Sequence, residues 1–195
     1  IRRKIKMISE FMYNNNRATN DFYATRPHDV ELLYKYEPSI INGRIWECAC
    51  GAGHISETLL KLGAKDVFSS DIVDYGYGHV IDFLADTEHN NFDVIITNPP
   101  YKACVDFVRH ALDCVKDNGI VVMLLRTLFL EGQLRYTKIF KDNRPKYVYV
   151  FVKRTYGLIN GDINNKSSSA MSHSWFIWEK GYKGDTIVRW LYEEE

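Results

Sequence analysis

The sequence predicts an α/β domain built on a mostly parallel sheet with helices on both faces, closed by an antiparallel hairpin at its C-terminal end. Three observations predict it. From residue 45 onward short apolar runs alternate with amphipathic stretches, a Gly-x-Gly turn joins the first run to the first stretch, and the last two apolar runs follow one another with no helix between them. Alternation of this kind implies parallel strands, because each helix carries the chain back to the same end of the sheet.

The elements read in order as follows. Ile1–Asn20 has a helical look up to Tyr13, then Asn14-Asn15-Asn16-Arg17 breaks it, so 1–20 reads as an N-terminal extension. Pro27 opens a helix at its first turn, where a missing N–H does no harm, and His28–Tyr36 continues it with apolar Val30, Leu32 and Leu33. Ile45–Ala49 is a short strand that stops at Gly51. His54–Leu62 is a helix with Ile55, Leu59, Leu60 and Leu62 at helical spacing, capped by Gly63. Asp66–Ser70 is a strand ending at Asp71, and Asp93–Thr97 is a buried strand ending at Asn98. Ala103–Val115 is an amphipathic helix ended by Gly119, Ile120–Leu125 is an apolar strand, and Glu131–Lys141 reads as a helix. Tyr147–Lys153 and Ser174–Glu179 form the final antiparallel pair, with 157–172 a flexible polar loop between them.

A chain of 195 residues, 46% hydrophobic and 26% charged, fits one soluble domain spanning 1–195. No apolar run approaches the roughly 18–20 residues that span a bilayer. The basic start Ile1-Arg2-Arg3-Lys4-Ile5-Lys6 is not followed by the apolar stretch of a signal peptide, so a cytoplasmic protein is expected. Cys48, Cys50, Cys104 and Cys114 have neither zinc-knuckle nor disulfide-framework spacing and read as buried thiols, with no metal site. Net charge is zero, yet eight basic residues against two acidic ones lie between Arg126 and Arg154. Arg126, Arg135, Lys138, Lys153 and Arg154 are therefore candidate contacts to a nucleic acid backbone, or equally a solvated helix face with its loops.

Glu47, Asp71 and Asn98 all fall at or just beyond strand ends, the edge at which ligands sit on a parallel sheet. Glu47-Cys48-Ala49-Cys50-Gly51-Ala52-Gly53 joins strand to helix through two glycines that let backbone pass close to a ligand. The turn raises a nicotinamide dinucleotide as one candidate ligand, but Ser56 stands where that fingerprint wants a third Gly or Ala. A carboxylate at Asp71 can accept both hydroxyls of a ribose. Asp82-Phe83 offers an acceptor and a ring for adenine, or simply a capping Asp beside a core Phe.

Asn98-Pro99-Pro100-Tyr101 is the most specific feature. Two prolines directly after a buried strand remove two N–H donors and fix two φ angles, giving a rigid loop with outward carbonyls. The Asn98 side-chain oxygen and the Pro99 carbonyl can accept from one –NH2 group, while Tyr101 offers a flat face for a planar ring. The arrangement suits methylation of a conjugated amine, whose weak nucleophilicity makes positioning matter more than a strong base.

These residues resemble the class I, Rossmann-like S-adenosylmethionine-dependent methyltransferases that modify the exocyclic amine of adenine in DNA, particularly compact phage-type enzymes. The matching pieces are Phe22-Tyr23-Ala24-Thr25-Arg26-Pro27, Trp46 to His54, Asp71, Asp82-Phe83-Leu84, Asn98 to Tyr101, Leu128 to Gly132 and Ser174 to Gly181. The resemblance implies a seven-stranded sheet with its last strand antiparallel beside the fifth, and a bacterial or phage-infected cytoplasm. It implies that Glu47, Gly51 and Gly53 surround the methionine part of S-adenosylmethionine, with Tyr23 and Thr25 closing over its carboxylate. Asp71 would hold the ribose and Asp82 with Phe83 the adenine, Cys48, Ile72 and Asn98 completing the cofactor contacts. Asn98, Pro99, Pro100 and Tyr101 would hold a base flipped out of DNA. Larger DNA-specific members carry a target-recognition region, for which only Arg126–Lys146 and the loop Gly157–Ser172 are candidates here. The same four-residue loop also occurs in enzymes acting on adenine in RNA or on a protein glutamine, so those acceptors stay open. An inactive cofactor- or nucleic-acid-binding subunit is the alternative of another class.

Overall fold

A computed structural model describes residues 23–86, 91–159 and 171–194, so the reading of 1–20 as an extension and most of the polar loop lie outside the described residues. The chain runs β1 (Tyr23–Ala24), α1 (Pro27–Tyr36), a 3-10 turn (Pro38–Ile41), β2 (Arg44–Glu47), α2 (His54–Lys61), β3 (Asp66–Asp71), β4 (His79–Val80), β5 (Phe92–Thr97), α3 (Cys104–Cys114) and β6 (Val115–Arg126). A second 3-10 turn (Thr127–Leu130), α4 (Gln133–Arg135), a π turn (Tyr136–Phe140), β7 (Tyr147–Phe151), β8 (Leu158–Ile159), β9 (His173–Glu179) and β10 (Ile187–Leu191) follow.

One sheet has the order β10-β7-β9-β6-β5-β2-β3-β4, and β1 pairs with β8 separately. β9 runs antiparallel between β6 and β7, as the two apolar runs near the C-terminus imply, while the remaining pairings of this sheet are parallel. The period-two pleat sorts each strand's side chains to two cores. Trp46, Ile95, Val121, Met123, Phe176 and Trp178 enter the core shared with α3. Ile45, Val94, Ile96, Val122, Trp175 and Ile177 enter the one shared with α1 and α2. All four cysteines are buried thiols outside any disulfide among the described residues.

Four expectations are corrected. The sheet has eight strands rather than seven, because Ile187–Leu191 adds a parallel edge strand beside β7. Glu131–Lys141 is not one α-helix but a short α turn that widens into a π turn, closed by Lys141 N–H donating to the Tyr136 carbonyl at 2.9 Å. The Thr137 hydroxyl donates to the Gln133 and Leu134 carbonyls at 2.9 and 3.1 Å, competing for the acceptors that regular winding would use. β2 stops at Glu47 rather than Ala49, so Cys48 and Cys50 belong to the turn. β6 begins earlier than Ile120, running through Asn118, a non-glycine residue at φ 62°.

Candidate active site

β2, β3, β5, β6 and β7 all point the same way, and their C-terminal ends, together with the start of β9, form one edge. A cavity of about 530 Å³ opens along it. Its wall contains Tyr23, Thr25, Glu47, Cys48, Asp71, Ile72, Asp82, Phe83, Asn98, Pro99, Pro100 and Tyr101, which brings residues from across the first hundred positions to one place. A cavity at this edge is the general expectation for a parallel sheet.

Gly51 and Gly53 shape the turn from behind, since the wall is made by their neighbours Ala49, Cys50 and His54. Both take positive φ, 51° and 83°. A Cβ on Gly53 would sit 2.6 Å from the Tyr77 ring, so this glycine makes room for a tyrosine rather than for a ligand. The Gly51 N–H donates to the Asp71 carboxylate at 2.9 Å, and the Val73 N–H to its other oxygen at 3.0 Å. Asp71 is thereby locked in place at the cavity wall with lone pairs to spare.

Glu47 is buried, and its Oε2 accepts from the Ser56 backbone N–H at 2.8 Å and from the Ser56 hydroxyl. Burial, reinforced by the nearby Asp71 charge, pushes its carboxyl up to about 8 against the opposing Ser56 bonds. The sequence gives Ser56 only a negative role, as the residue that breaks a dinucleotide fingerprint. In the structure it faces the strand-end carboxyl from the first turn of α2 and relays to Ser69 Oγ at 2.6 Å. Phe83 packs in the core against Trp46 and Phe107, each at 5.0 Å, while bordering the cavity. Asp82 likewise caps a turn, accepting from the Leu84 N–H at 3.1 Å, and borders the cavity. The pair is thus a capping Asp beside a core Phe, placed where both border the cavity.

The loop Asn98–Tyr101 is tied to β1. Asn98 Nδ2 donates to the Tyr23 carbonyl at 2.9 Å. That segment is in turn latched by Asp29, 1% exposed, whose carboxylate takes Arg26 Nη2 at 2.5 Å and the Thr155 hydroxyl. Arg26 also lies over the Tyr156 ring, 4.4 Å from its centroid. Pairing of β1 with β8 completes the latch. Asp29 reads in the sequence as an ordinary first-turn acid, and nothing local signals its distant partner.

The basic residues divide. Arg126 is drawn onto the loop Asn98–Tyr101, its guanidinium carbon 4.4 Å from the Tyr101 ring centroid, with Nε buried and without a hydrogen-bond partner among the described residues. Arg135 donates to the Leu128 and Glu131 carbonyls and lies over Phe129. These two are therefore not free surface cations, because the loop after β6 uses them. Lys138, Lys153 and Arg154 are exposed, the last two just beyond the C-terminal end of β7 at the cavity edge. His173, absent from the sequence reading, places Nε2 3.1 Å from the Tyr101 hydroxyl.

The cavity's ionisable lining is acidic, although Glu47 keeps its proton up to about 8. Three carboxyl side chains line it and, among the described residues, no lysine or arginine does. Two lining residues also carry buried polar atoms without hydrogen-bond partners among the described residues, Thr25 Oγ1 and His54 Nδ1. A buried donor or acceptor left unpaired costs about 1–3 kcal/mol, so these atoms favour a ligand that pairs them.

No family model and no curated protein sequence matches the chain. Solved structures do. A candidate class I S-adenosylmethionine-dependent methyltransferase from Listeria monocytogenes is 18% identical with a TM-score of 0.57, over 84% of this chain and 62% of that one. A candidate RNA methyltransferase from Pyrococcus horikoshii is 14% identical with a TM-score of 0.59, over 79% of this chain and 82% of that one. The methyltransferase subunit of a type I restriction-modification system from Streptococcus thermophilus is 14% identical with a TM-score of 0.61, over 91% of this chain and 48% of that one. The chain thus spans less than two thirds of the Listeria protein and about half of the Streptococcus subunit. At these identities the likeness establishes the fold, a Rossmann-like sheet with its antiparallel strand inserted beside β6.

Proposed function

We propose that this chain transfers a methyl group from S-adenosylmethionine to the exocyclic amine of adenine in DNA. The observation that carries the reading is a cavity whose one wall is acidic and whose other wall is a rigid loop of neutral acceptors. An acidic wall suits a ligand bearing a sulfonium and an ammonium, and disfavours the pyrophosphate of a dinucleotide. Thr25 and His54 offer their unpaired atoms to the amino-acid end, with Glu47 beside them, while Asp71 and Ile72 face the ribose and Asp82 and Phe83 the adenine. Cys48 contributes apolar wall.

When bound, S-adenosylmethionine supplies an electrophilic methyl. The chain's own residues hold the acceptor. The Tyr23 carbonyl can only accept, so it fixes the Asn98 amide with nitrogen toward β1 and leaves Oδ1 for the incoming amine. Oδ1 and the Pro99 carbonyl take the two amine hydrogens, favouring a pyramidal nitrogen whose lone pair is available. Tyr101 stacks on the ring. Asn98 is neutral and takes no proton, so the proton released leaves to solvent.

The type I restriction-modification neighbour and the exposed cations Lys153 and Arg154 beyond the end of β7, with Lys138 exposed on the π turn, favour DNA. A base in a duplex must leave the stack to reach Tyr101, and binding should weaken steeply with added salt. The loop would grip adenine in RNA the same way, a reading that the Pyrococcus neighbour keeps in view. Tritiated cofactor incubated with unmethylated duplex DNA, RNA and protein extract tests the choice. Label recovered as N6-methyladenine in DNA is expected, and label confined to RNA or protein moves the acceptor. No label, together with no calorimetric binding of S-adenosylmethionine, overturns the reading.

A further inference from the structure

We propose that His173 is a positioning residue that pins the ring of Tyr101 and thereby sets how tightly a planar acceptor is held. The inference rests on the methyl-transfer reading of this same site and adds a residue to it.

The two prolines fix the backbone of the acceptor loop, but they do not fix the torsions of the tyrosine that follows. The ring can still swing about χ1. A bond at its far-end hydroxyl, which lies on the χ2 axis, stops that swing, so a stacking platform needs such a second point of attachment. His173 provides it. It opens β9 directly opposite Arg126 of β6, at the cavity edge of the sheet. Its Nε2 lies 3.1 Å from the Tyr101 hydroxyl, with the two rings 27° apart and their centroids at 6.0 Å. The Arg126 guanidinium lies 4.4 Å from the same Tyr101 ring centroid. The strand start that carries the imidazole is itself anchored, the Thr127 N–H donating to the Ser172 carbonyl at 2.9 Å. A hydroxyl irrelevant to stacking thus holds the far end of the ring, and a platform fixed before binding loses less freedom when the acceptor arrives.

The groups facing His173 are Arg126 of β6, Asp29 of α1, Tyr101 of the acceptor loop and the backbone at Met171. Burial and then the Arg126 charge hold its imidazole below the ordinary histidine range, opposed by Asp29. The ring is therefore neutral near pH 7. As the pH falls through that lowered value, an imidazolium forms beside Arg126 and the clamp loosens.

The test is steady-state methyl transfer from tritiated S-adenosylmethionine to unmethylated duplex DNA. His173→Ala should raise the KM for DNA about ten-fold, the worth of roughly one hydrogen bond, while kcat and cofactor affinity change little. His173→Gln, which can still bond the hydroxyl, should recover most of the loss. Tyr101→Phe should match His173→Ala, and the double variant should be no worse than either. The wild-type KM should rise in acid, and that rise should vanish in His173→Ala. Additive losses in the double variant, or a folded His173→Ala with unchanged KM, overturn the proposal. The imidazole nitrogen spectrum reads the contact without turnover, because Tyr101→Phe should shift the Nε2 resonance of His173, and an unmoved resonance overturns it too. A wild-type chain that transfers nothing overturns the proposed function, while the nitrogen spectrum still decides the contact.

Discussion

Asn98 Nδ2 and the Tyr23 carbonyl, 2.9 Å apart, join the Asn-Pro-Pro-Tyr loop to β1, both of which border the cavity. The bond orients the amide, so removing the side chain removes both the orientation and the acceptor oxygen. Asn98→Ala should lower methyl transfer by about two to three orders of magnitude, the loss typical of one preorganised polar group, with S-adenosylmethionine affinity falling far less. Asn98→Asp should be comparably impaired, since a carboxylate cannot donate to Tyr23 and turns an oxygen against an oxygen. Tritium incorporation and calorimetry measure the two effects separately. Near-normal turnover in Asn98→Ala would show that the loop does not hold the acceptor.

The latch behind Tyr23 predicts a different phenotype. Asp29 is buried, and its carboxylate holds both Arg26 and the Thr155 hydroxyl. Asp29→Ala leaves Arg26 half-buried without its counterion and frees Thr155, a loss of roughly 3–5 kcal/mol by analogy with other broken buried pairs. Urea unfolding should show that loss in the midpoint, and the folded variant should bind S-adenosylmethionine more weakly because Tyr23 and Thr25 are no longer held. Unchanged stability would mean that the latch is not coupled to the fold.

Much of this frame was legible in the residues. Ile45–Ala49 and Ile120–Leu125 read as strands because their alternate side chains feed two different cores, and Glu47, Asp71 and Asn98 read as edge residues because each falls at or just beyond the end of such a run. What escaped is what depends on distant partners. Ile187–Leu191 pairs at the sheet margin with Ile187, Val188 and Trp190 exposed, so it lacks the buried alternation that marks a strand. The π turn depends on one threonine hydroxyl. Arg126 reads as a phosphate contact because its charge is visible in the sequence and the Tyr101 ring beneath it is not. His173 meets Tyr101 only through the register of β6 with β9, which nothing local encodes.

Gly53 provides a test of the turn independent of ligand. Its φ of 83° is the left-handed region, and a Cβ there would meet the Tyr77 ring at 2.6 Å. Gly53→Ala combines about 1–2 kcal/mol of backbone strain with displacement of that ring. A melting temperature lower by several degrees is expected, about what a loss of that size gives in a domain of this length. Tyr77→Ala should relieve the ring clash and recover part of the loss in the double variant. If Gly53→Ala melts with the wild type, the ring does not pack as described.

Glu47 predicts a pH dependence whose sign can be worked out. Burial raises its carboxyl from the ordinary 4.5 to about 8 in the folded chain, the Asp71 charge adding to it and Ser56 opposing it. Below the unfolded value both states hold the proton and Glu47 contributes no pH dependence. Between the two values the folded chain keeps a proton that the unfolded chain has lost, so stability falls as pH rises, by about 1.4 kcal/mol per pH unit at most. Above the folded value the loss is complete and constant. Glu47→Gln removes this slope, so the variant should gain on the wild type steadily across the window in urea titrations at constant ionic strength. A difference between the two that stays flat with pH would show that Glu47 is ionised throughout. The same acid gives a binding signature: a cationic ligand beside it favours the carboxylate, so S-adenosylmethionine binding at neutral pH should release a proton. Calorimetry in buffers of different ionisation enthalpy reads that proton directly, and its persistence in Glu47→Gln would assign it to another group.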